Sequence, residues 1–284
     1  MTHRPVSTLA VAPAVLAGVL LAHAGLKAVI FWGPYQARVA LPVELATGGL
    51  VTAITLSGLL SWAVLVGGGM LAAGRLRPRD LGLSLGHLRD AGPVLLGLWL
   101  TVQVAHAALG SATGELTLAA SASSRTLAEA AGLRLQAVVG SGLLEEVLYR
   151  GFLLTQVFVL LRSRVGRDRA LVWAVVASSL YFGLNHIPAY SRAGLAPAEV
   201  AVFVGQCVLV GALFGALFLR TGNVLVVAGA HALINDPVAL FATSIDPALV
   251  ALVAVAGLML AWPALTRLGG RPFTVGVVEG SPAL

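Results

Sequence analysis

The stretch GLLEEVLYRGFLL (residues 142–154) decides the fold, because it places three ionisable side chains inside an otherwise apolar run. An ionisable residue at the centre of a bilayer costs roughly 2.5–3.5 kcal/mol on insertion scales. Such residues normally face the interior of a helix bundle or a water-filled cavity. Glu145, Glu146 and Arg150 therefore indicate a polar site within a membrane protein.

The rest of the chain has the composition of a membrane protein. It has 284 residues, of which 58% are hydrophobic and 11% charged, and its mean hydropathy is +0.93. Soluble domains carry about 25% charged residues. Eight apolar runs are close to the ~20 residues that cross a hydrocarbon core, and they lie at 9–31, 48–73, 93–110, 135–161, 170–187, 200–219, 223–241 and 248–266. We predict one all-α integral membrane domain over 1–284, with about eight transmembrane helices, because alternating strand patterns are absent.

The basic residues indicate an orientation in the membrane. The net charge is +6, and Arg residues cluster between apolar runs, which favours topology over nucleic-acid binding. If every run spans once, twelve Arg residues fall on one side: Arg4, Arg75, Arg77, Arg79, Arg89, Arg162, Arg164, Arg167, Arg169, Arg220, Arg267 and Arg271. The other side holds only four: Arg38, Arg125, Arg134 and Arg192. This pattern predicts a multi-pass protein of the cell membrane with both termini in the cytoplasm.

Three further features bear on the compartment and on the first run. Cys207 is the single cysteine, which excludes an internal disulfide and a Cys-rich metal site. Frequent Arg, Ala, Gly, Val and Leu are typical of a bacterial genome rich in G and C. Ala22, His23 and Ala24 imitate a signal-peptidase site, but the apolar stretch continues to Trp32, which favours a retained helix.

Helical spacing separates the two glutamates by role. Glu146 and Arg150 are four residues apart, so they share a helix face and are expected to form a structural ion pair. Glu145 points about 100° away. Since one Arg can neutralise one carboxylate, Glu145 is left for a functional role.

Two later runs also carry polar pairs at helical spacing. YFGLNHIP (residues 181–188) places Phe182 and His186 four residues apart, and AGAHALINDP (residues 228–237) does the same with His231 and Asn235. A carboxylate beside an imidazole can take a proton from water, which suits Glu145 and His186. A second imidazole and an amide, those of His231 and Asn235, can donate hydrogen bonds to the resulting oxyanion.

A metal-bound water is the alternative to this arrangement. Zinc accepts two imidazoles and a carboxylate, here His186, His231 and Glu145, although the zinc motif His-Glu-x-x-His is absent. Spacing alone does not choose between metal-bound and metal-free water. We expect Phe182 to shape the wall of the site. We interpret His23 as a packing or interface residue and Lys27 as a side chain that reaches the membrane surface.

Three motifs in this order resemble those of a known family. EEVLYR (145–150), FGLNH (182–186) and HALIND (231–236) resemble the Glu-Glu-x-x-x-Arg, Phe-x-x-x-His and His-x-x-x-Asn motifs of the CAAX protease and bacteriocin-processing (CPBP, or Abi) family, which is related to the Ras-converting CAAX endopeptidase. The resemblance covers 80–284, with its core at 141–241. It implies an all-helical intramembrane endopeptidase, commonly labelled a metalloprotease.

The resemblance also implies roles and a substrate class. Glu145 and His186 take the positions assigned to water activation, and His231 and Asn235 those assigned to oxyanion stabilisation or metal binding. The implied partner is a membrane-associated peptide or protein, lipidated or not, and no nucleic acid is expected. Two other functions stay open from the residues: a proton-coupled transporter, since intramembrane Glu, His and Arg also form proton relays, and a non-catalytic membrane scaffold.

Overall fold

The protein is an all-α membrane helix bundle. A computed structural model describes residues 9–119 and 125–268. Within those residues the only strands are β1 (Thr117–Leu118) and β2 (Phe241–Ala242), which pair antiparallel. Six helical segments in the described part are long and apolar enough to cross a membrane: Pro13–Trp32, Ala53–Ala73, Pro78–Thr113, Arg167–Arg192, Pro197–Thr221 and Pro247–Thr266. The chain is therefore a multi-pass membrane protein, and the predicted count of eight spans is not reached by this measure.

The remaining bounds complete the order of elements. The α-helices are α1 Pro13–Trp32, α2 Leu41–Ala46, α3 Ala53–Ser61, α4 Leu85–Thr113, α5 Leu127–Leu135, α6 Leu143–Glu146, α7 Thr155–Val165, α8 Arg167–Leu184, α9 Ile187–Arg192, α10 Pro197–Thr221, α11 Val224–Asn235 and α12 Pro247–Leu268. The π-helical turns are Gln36–Ala40, Trp62–Ala73, Gln136–Gly142 and Val147–Leu154, and Pro78–Leu81 is a 3₁₀ helix.

The fourth apolar run lies in one continuous helix, 127–165, which we call the site helix. It begins with a capping box between Thr126 and Glu129 and ends at Gly166, whose φ of +81° only glycine adopts readily. The first half packs against α3 and α11, and the second half packs against α8. The site helix carries the three charges of the EEVLYR stretch, and for that reason it is not among the six apolar spans.

The seventh apolar run is only partly helical. Helix α11 has 12 residues and is therefore about 18 Å long, shorter than the hydrocarbon core of about 30 Å. The chain then continues without regular secondary structure to β2. Gln103 of α4 holds this segment: its Nε2 donates to the carbonyl of Val238, and its Oε1 accepts from the amide of Leu240. Non-helical backbone at membrane depth requires such burial within protein.

Close helix contacts bring the other elements to the site helix. A Cβ added to Gly58 of α3 would lie 2.5 Å from the carbonyl oxygen of Gly140, so this crossing requires glycine. Below it, the core is built from fully buried side chains of the site helix and α10, which include Tyr149, Phe152, Phe158, Phe214 and Phe218.

Candidate active site

Glu146 and Arg150 form a buried ion pair at the centre of the bundle. Both residues are 0% exposed, and Arg150 Nη1 donates to Glu146 Oε1 at 3.0 Å. Arg150 Nη2 donates to the carbonyl of Gly211 at 2.7 Å. The guanidinium also lies 5.0 Å from the ring centre of Phe182 and 5.4 Å from that of Phe214, at cation–π distance. This pair ties the site helix to α8 and α10, although Glu146 Oε2 and Arg150 Nε have no hydrogen-bond partner among the described residues.

His231 of α11 lies between the two carboxylates. Its Nδ1 is 2.8 Å from Glu146 Oε1, and its Nε2 is 3.9 Å from Glu145 Oε2. Glu146 Oε1 also accepts from Arg150, and an ionised carboxylate can only accept. The hydrogen of this pair therefore sits on His231 Nδ1. The opposite ring nitrogen is directed at Glu145, so α11 and the site helix meet at the proposed reaction centre.

His186 lies at the C-terminal end of α8, where two side chains cap the helix. Asn185 Nδ2 donates to the carbonyl of Tyr181, and His186 Nδ1 bonds the carbonyl of Phe182 at 2.8 Å. The last carbonyls of a helix lack intrahelical donors, which explains this use of the polar Asn-His pair. Since a carbonyl can only accept, Nδ1 carries the hydrogen. In neutral imidazole Nε2 is then an acceptor, the state that a proton-accepting base requires.

Phe182 links the two histidines. Its ring centre is 4.8 Å from that of His186 and 5.9 Å from that of His231, and Phe182 is buried. Phe182, which we expected to shape the wall of the site, thus lies between the imidazoles of His186 and His231. The Arg150 guanidinium packs against its ring.

Asn235 occupies the exposed edge of the site. Its Nδ2 donates to Ser141 Oγ at 3.2 Å, and Ser141 is one helical turn before Glu145. The next residue, Asp236, forms a salt bridge with Arg134 of α5. The end of α11 is therefore tied twice to the site helix, and the amide of Asn235 lies on the same helix face as Glu145.

Two residues of α1 lie at the site: Lys27, which we expected at the membrane surface, and His23, whose burial agrees with the predicted packing role. Lys27 does not reach for the membrane surface: its Nζ is 3.7 Å from Glu145 Oε1, and the side chain is 21% exposed. His23 is 3% exposed, and its ring packs against those of Tyr149 and Tyr181. His23 and Lys27 are four residues apart, and this helical spacing in an apolar run is the signal that would have revealed them.

A small cavity opens beside Glu145. Its volume is ≈ 60 Å³, and it lies between α1, α3 and the site helix. The polar residues that line it are His23, Lys27, Gln36, Ser57, Ser61, Ser141 and Glu145. A cavity of this size and polarity has room for water. Glu145, which is 9% exposed, therefore borders this cavity and also lies beside His231.

The predicted metal ligands do not form a ligand set as placed. Among the residues that the structure describes, no three His, Cys, Asp or Glu side chains converge closely enough to hold a metal ion. The Nδ1 bond of His231 to Glu146 leaves Nε2 free, as in many metal-bound histidines, whereas the Lys27 ammonium already lies beside Glu145.

A comparison with known protein families finds a match to the region that contains these contacts. Residues 128–235 match the Rce1-like family of type II CAAX prenyl endopeptidases. The resemblance to the CAAX proteases is thereby confirmed. No curated protein and no solved structure matches the chain.

The Rce1-like region begins in α5 and ends at Asn235. It includes the site helix, α8, α10 and α11, and so every residue of the three motifs. Helix α1, with Lys27 and His23, lies outside it. At the level of the family, the match supports a CAAX-type protease.

Proposed function

We propose that the protein is an intramembrane endopeptidase that hydrolyses a peptide bond with water activated by Glu145 and His186. One observation carries the proposal: His231 lies between the carboxylates of Glu145 and Glu146, at 3.9 Å and 2.8 Å, within the Rce1-like region. Glu146 is neutralised by Arg150. Glu145 is the carboxylate that faces a cavity wide enough for water.

The chemistry follows from the side chains. Water between Glu145 and His186 loses a proton to one of them as its oxygen attacks the substrate carbonyl carbon. The tetrahedral intermediate carries its negative charge on the former carbonyl oxygen. Collapse breaks the C–N bond, and the same proton passes to the leaving amine. The products are a new carboxylate and a free amine.

Donors for the developing oxyanion lie on α11. Oriented donors in a site of low dielectric lower the barrier, and removal of one typically costs about 10²–10³-fold in rate. His231 is held by its Nδ1 bond to Glu146, and the amide of Asn235 by Ser141. We assign both side chains to oxyanion stabilisation, His231 as the imidazolium, in which Nδ1 donates to Glu146 and Nε2 also carries a hydrogen to donate.

The proposed substrate is a peptide that reaches the site from the bilayer. The match to the Rce1-like family supports a membrane-associated protein as substrate, and prenylated and unlipidated substrates both fall within this class. Metal binding at Glu145, His186 and His231 stays a prediction. It is checked by the metal content of active protein together with the effect of a chelator on the same sample.

The test is cleavage of internally quenched peptides by the purified protein in liposomes, using one prenylated CAAX-type peptide and its unlipidated form. We expect cleavage of at least one peptide. Glu145→Gln and His186→Ala should each lower it by about 10²-fold or more, the usual scale for general acid–base groups. Glu199→Gln, an exposed carboxylate at the start of α10, is the control and should keep the wild-type rate.

A second variant of His186 separates chemistry from helix capping. His186→Asn keeps a nitrogen that can donate to the carbonyl of Phe182 but lacks Nε2. We expect it to unfold at the wild-type temperature and to be as inactive as His186→Ala. Wild-type rates for Glu145→Gln and both His186 variants, or no cleavage by folded wild-type protein, would contradict the proposed function.

A further inference from the structure

We propose that Lys27 of α1 is a positioning residue for Glu145, so that the first helix is part of the active site. This inference rests on the proposed function of Glu145. It assigns a role outside the region that matches the Rce1-like family, since that region begins at residue 128.

The location of Lys27 is the first observation. It is the only lysine of the chain, among 18 basic residues. The other cations predicted to set the topology lie between the apolar runs or close to their ends in the sequence. Lys27 instead lies five residues before the end of α1, with Nζ 3.7 Å from Glu145 Oε1. The membrane surface is within reach of a lysine stem near a helix end, so this inward placement needs a cause.

Charge balance supplies that cause. Glu145 and Glu146 are adjacent, and two carboxylates close together in a medium of low dielectric repel strongly. Arg150 pairs with Glu146 and is fully enclosed there, so it cannot also serve Glu145. Lys27 approaches Glu145 from the opposite side, from another helix. Each carboxylate then has its own cation, and His231 lies between the two carboxylates.

The length of the Lys27–Glu145 contact matters for catalysis. At 3.7 Å it is a charge contact and not a hydrogen bond. The carboxylate oxygens therefore stay available to water, while the ammonium draws the side chain toward the cavity and away from Glu146. Lys27 lines the same cavity, and its Nζ lies 5.8 Å from the ring centre of Phe31, which limits its movement. Lysine suits this role because it is a compact charge with three donors.

The kinetic consequence is specific. Lys27→Met should lower kcat by about 10²-fold, the effect expected when a catalytic group is misplaced by about 1 Å, while KM changes little. Lys27→Arg keeps the charge and should recover most of the rate. Arg38→Met, which removes an exposed cation outside the site, should leave both constants unchanged. The unfolding temperature of each variant shows whether the fold is intact.

The single lysine allows a test that does not depend on activity. Reductive methylation with ¹³C-formaldehyde adds two methyl groups to each amine and keeps its positive charge. Lys27 then gives the one side-chain dimethylamine signal in the NMR spectrum, which Lys27→Arg identifies by its loss. We expect Glu145→Gln to shift this signal and Glu199→Gln to leave it in place.

Chemical modification of Lys27 gives two forms of the wild-type chain, one that keeps the positive charge and one that loses it. Dimethylated protein, which keeps the charge at Lys27, should keep most of its activity. Protein acetylated at Lys27, which loses the charge, should match Lys27→Met.

The outcomes separate the two proposals. If Glu145→Gln is inactive while Lys27→Met and acetylated protein keep the wild-type kcat, the role of Lys27 is wrong and the proposed function stands. If Glu145→Gln is active, the proposed function itself is wrong. An unshifted NMR signal in Glu145→Gln also overturns the contact on which the inference depends.

Discussion

At the scale of single residues, the site buries several charged side chains in a medium of low dielectric. Burying one ion costs several kcal/mol unless a partner and hydrogen bonds compensate. Glu146 accepts from both Arg150 and His231 through the same oxygen. The guanidinium in turn donates to the carbonyl of Gly211. Loss of one member of this network therefore leaves a charge uncompensated.

Removal of Arg150 should destabilise the protein more than removal of the whole ion pair. We expect Arg150→Met to lower the free energy of unfolding by about 3–5 kcal/mol, because it leaves Glu146 as a buried charge without its cation. In the double variant Glu146→Gln/Arg150→Met no such charge remains, so the loss should be smaller. Equilibrium unfolding in mixed micelles measures both values. A double variant less stable than Arg150→Met would contradict this account.

Local spacing predicted the residue contacts that lie within one helix and missed those between helices. The pairing of Glu146 with Arg150 follows from a separation of four residues. The contact of Lys27 with Glu145 joins residues 118 positions apart (145 − 27) on helices whose relative rotation no local pattern specifies. The sequence likewise predicted roles for His231 and Glu146 but not the hydrogen bond between them.

At the scale of elements, the break at the end of α11 positions Asn235. The chain leaves the helix at Asp236 and passes through Val238, whose φ is +48°. A β-branched residue rarely adopts this region, and such a conformation costs on the order of 1–3 kcal/mol. Gln103 donates to the carbonyl of Val238 itself and accepts from the amide of Leu240. The amide of Asn235 therefore depends on a side chain of α4.

Substitution of Gln103 should weaken the fold and the site together. Gln103→Leu leaves the carbonyl of Val238 and the amide of Leu240 without their partner, at about 1–3 kcal/mol for each buried group. We expect a lower unfolding temperature and a loss of cleavage on the order of 10-fold, since displacement of a positioned donor by less than 1 Å has such effects.

A matched control for Gln103 lies on the same helix. Thr101→Val removes a polar atom from an exposed residue that bonds only its own helix, at the carbonyl of Gly97. It should leave both the unfolding temperature and the rate unchanged. Equal effects of the two substitutions would show that the non-helical segment after α11 does not depend on Gln103.

Hydropathy predicted where most helices lie but not where they stop being helical. The runs at 9–31 and 200–219 correspond to α1 and α10 within a few residues. The run at 223–241 was counted with the others although it contains Asn235, Asp236 and Pro237, and its helix ends at Asn235. Hydropathy measures only transfer to lipid, and the non-helical segment is possible because Gln103 of another helix satisfies its backbone.

At the scale of the whole molecule, the site lies toward one face of the bundle. His186 lies two residues beyond the end of α8, Asn235 ends α11, and Lys27 is near the end of α1. The opposite ends of α8 and α11 begin beside the Arg-rich segment 162–169 and beside Arg220. These helices therefore run from the Arg-rich side toward the site. The site lies nearer the other side of the bundle.

Charge asymmetry then predicts the face on which the site opens. Cytoplasmic loops carry the excess of Lys and Arg, and the topology predicted from the sequence assigns twelve Arg residues to one side and four to the other. We therefore expect the termini and the loop at Gly166 in the cytoplasm, and the site nearer the outer face. The loop charges in the sequence predict this orientation. The depth of the site, in contrast, can be inferred only from the relative positions of three helices.

Reporter insertions in a bacterial host test this orientation. Alkaline phosphatase, which is active only outside the cytoplasm, should be active when inserted after Gly194, between α9 and α10, and inactive after Gly166. Green fluorescent protein fused to the C-terminus should fluoresce. Each fusion must still cleave the test peptide, which shows that the bundle is intact. The reverse pattern would place the Arg-rich side outside and open the site to the cytoplasm, against the charge asymmetry, so the charges of the loops would not control insertion in this chain.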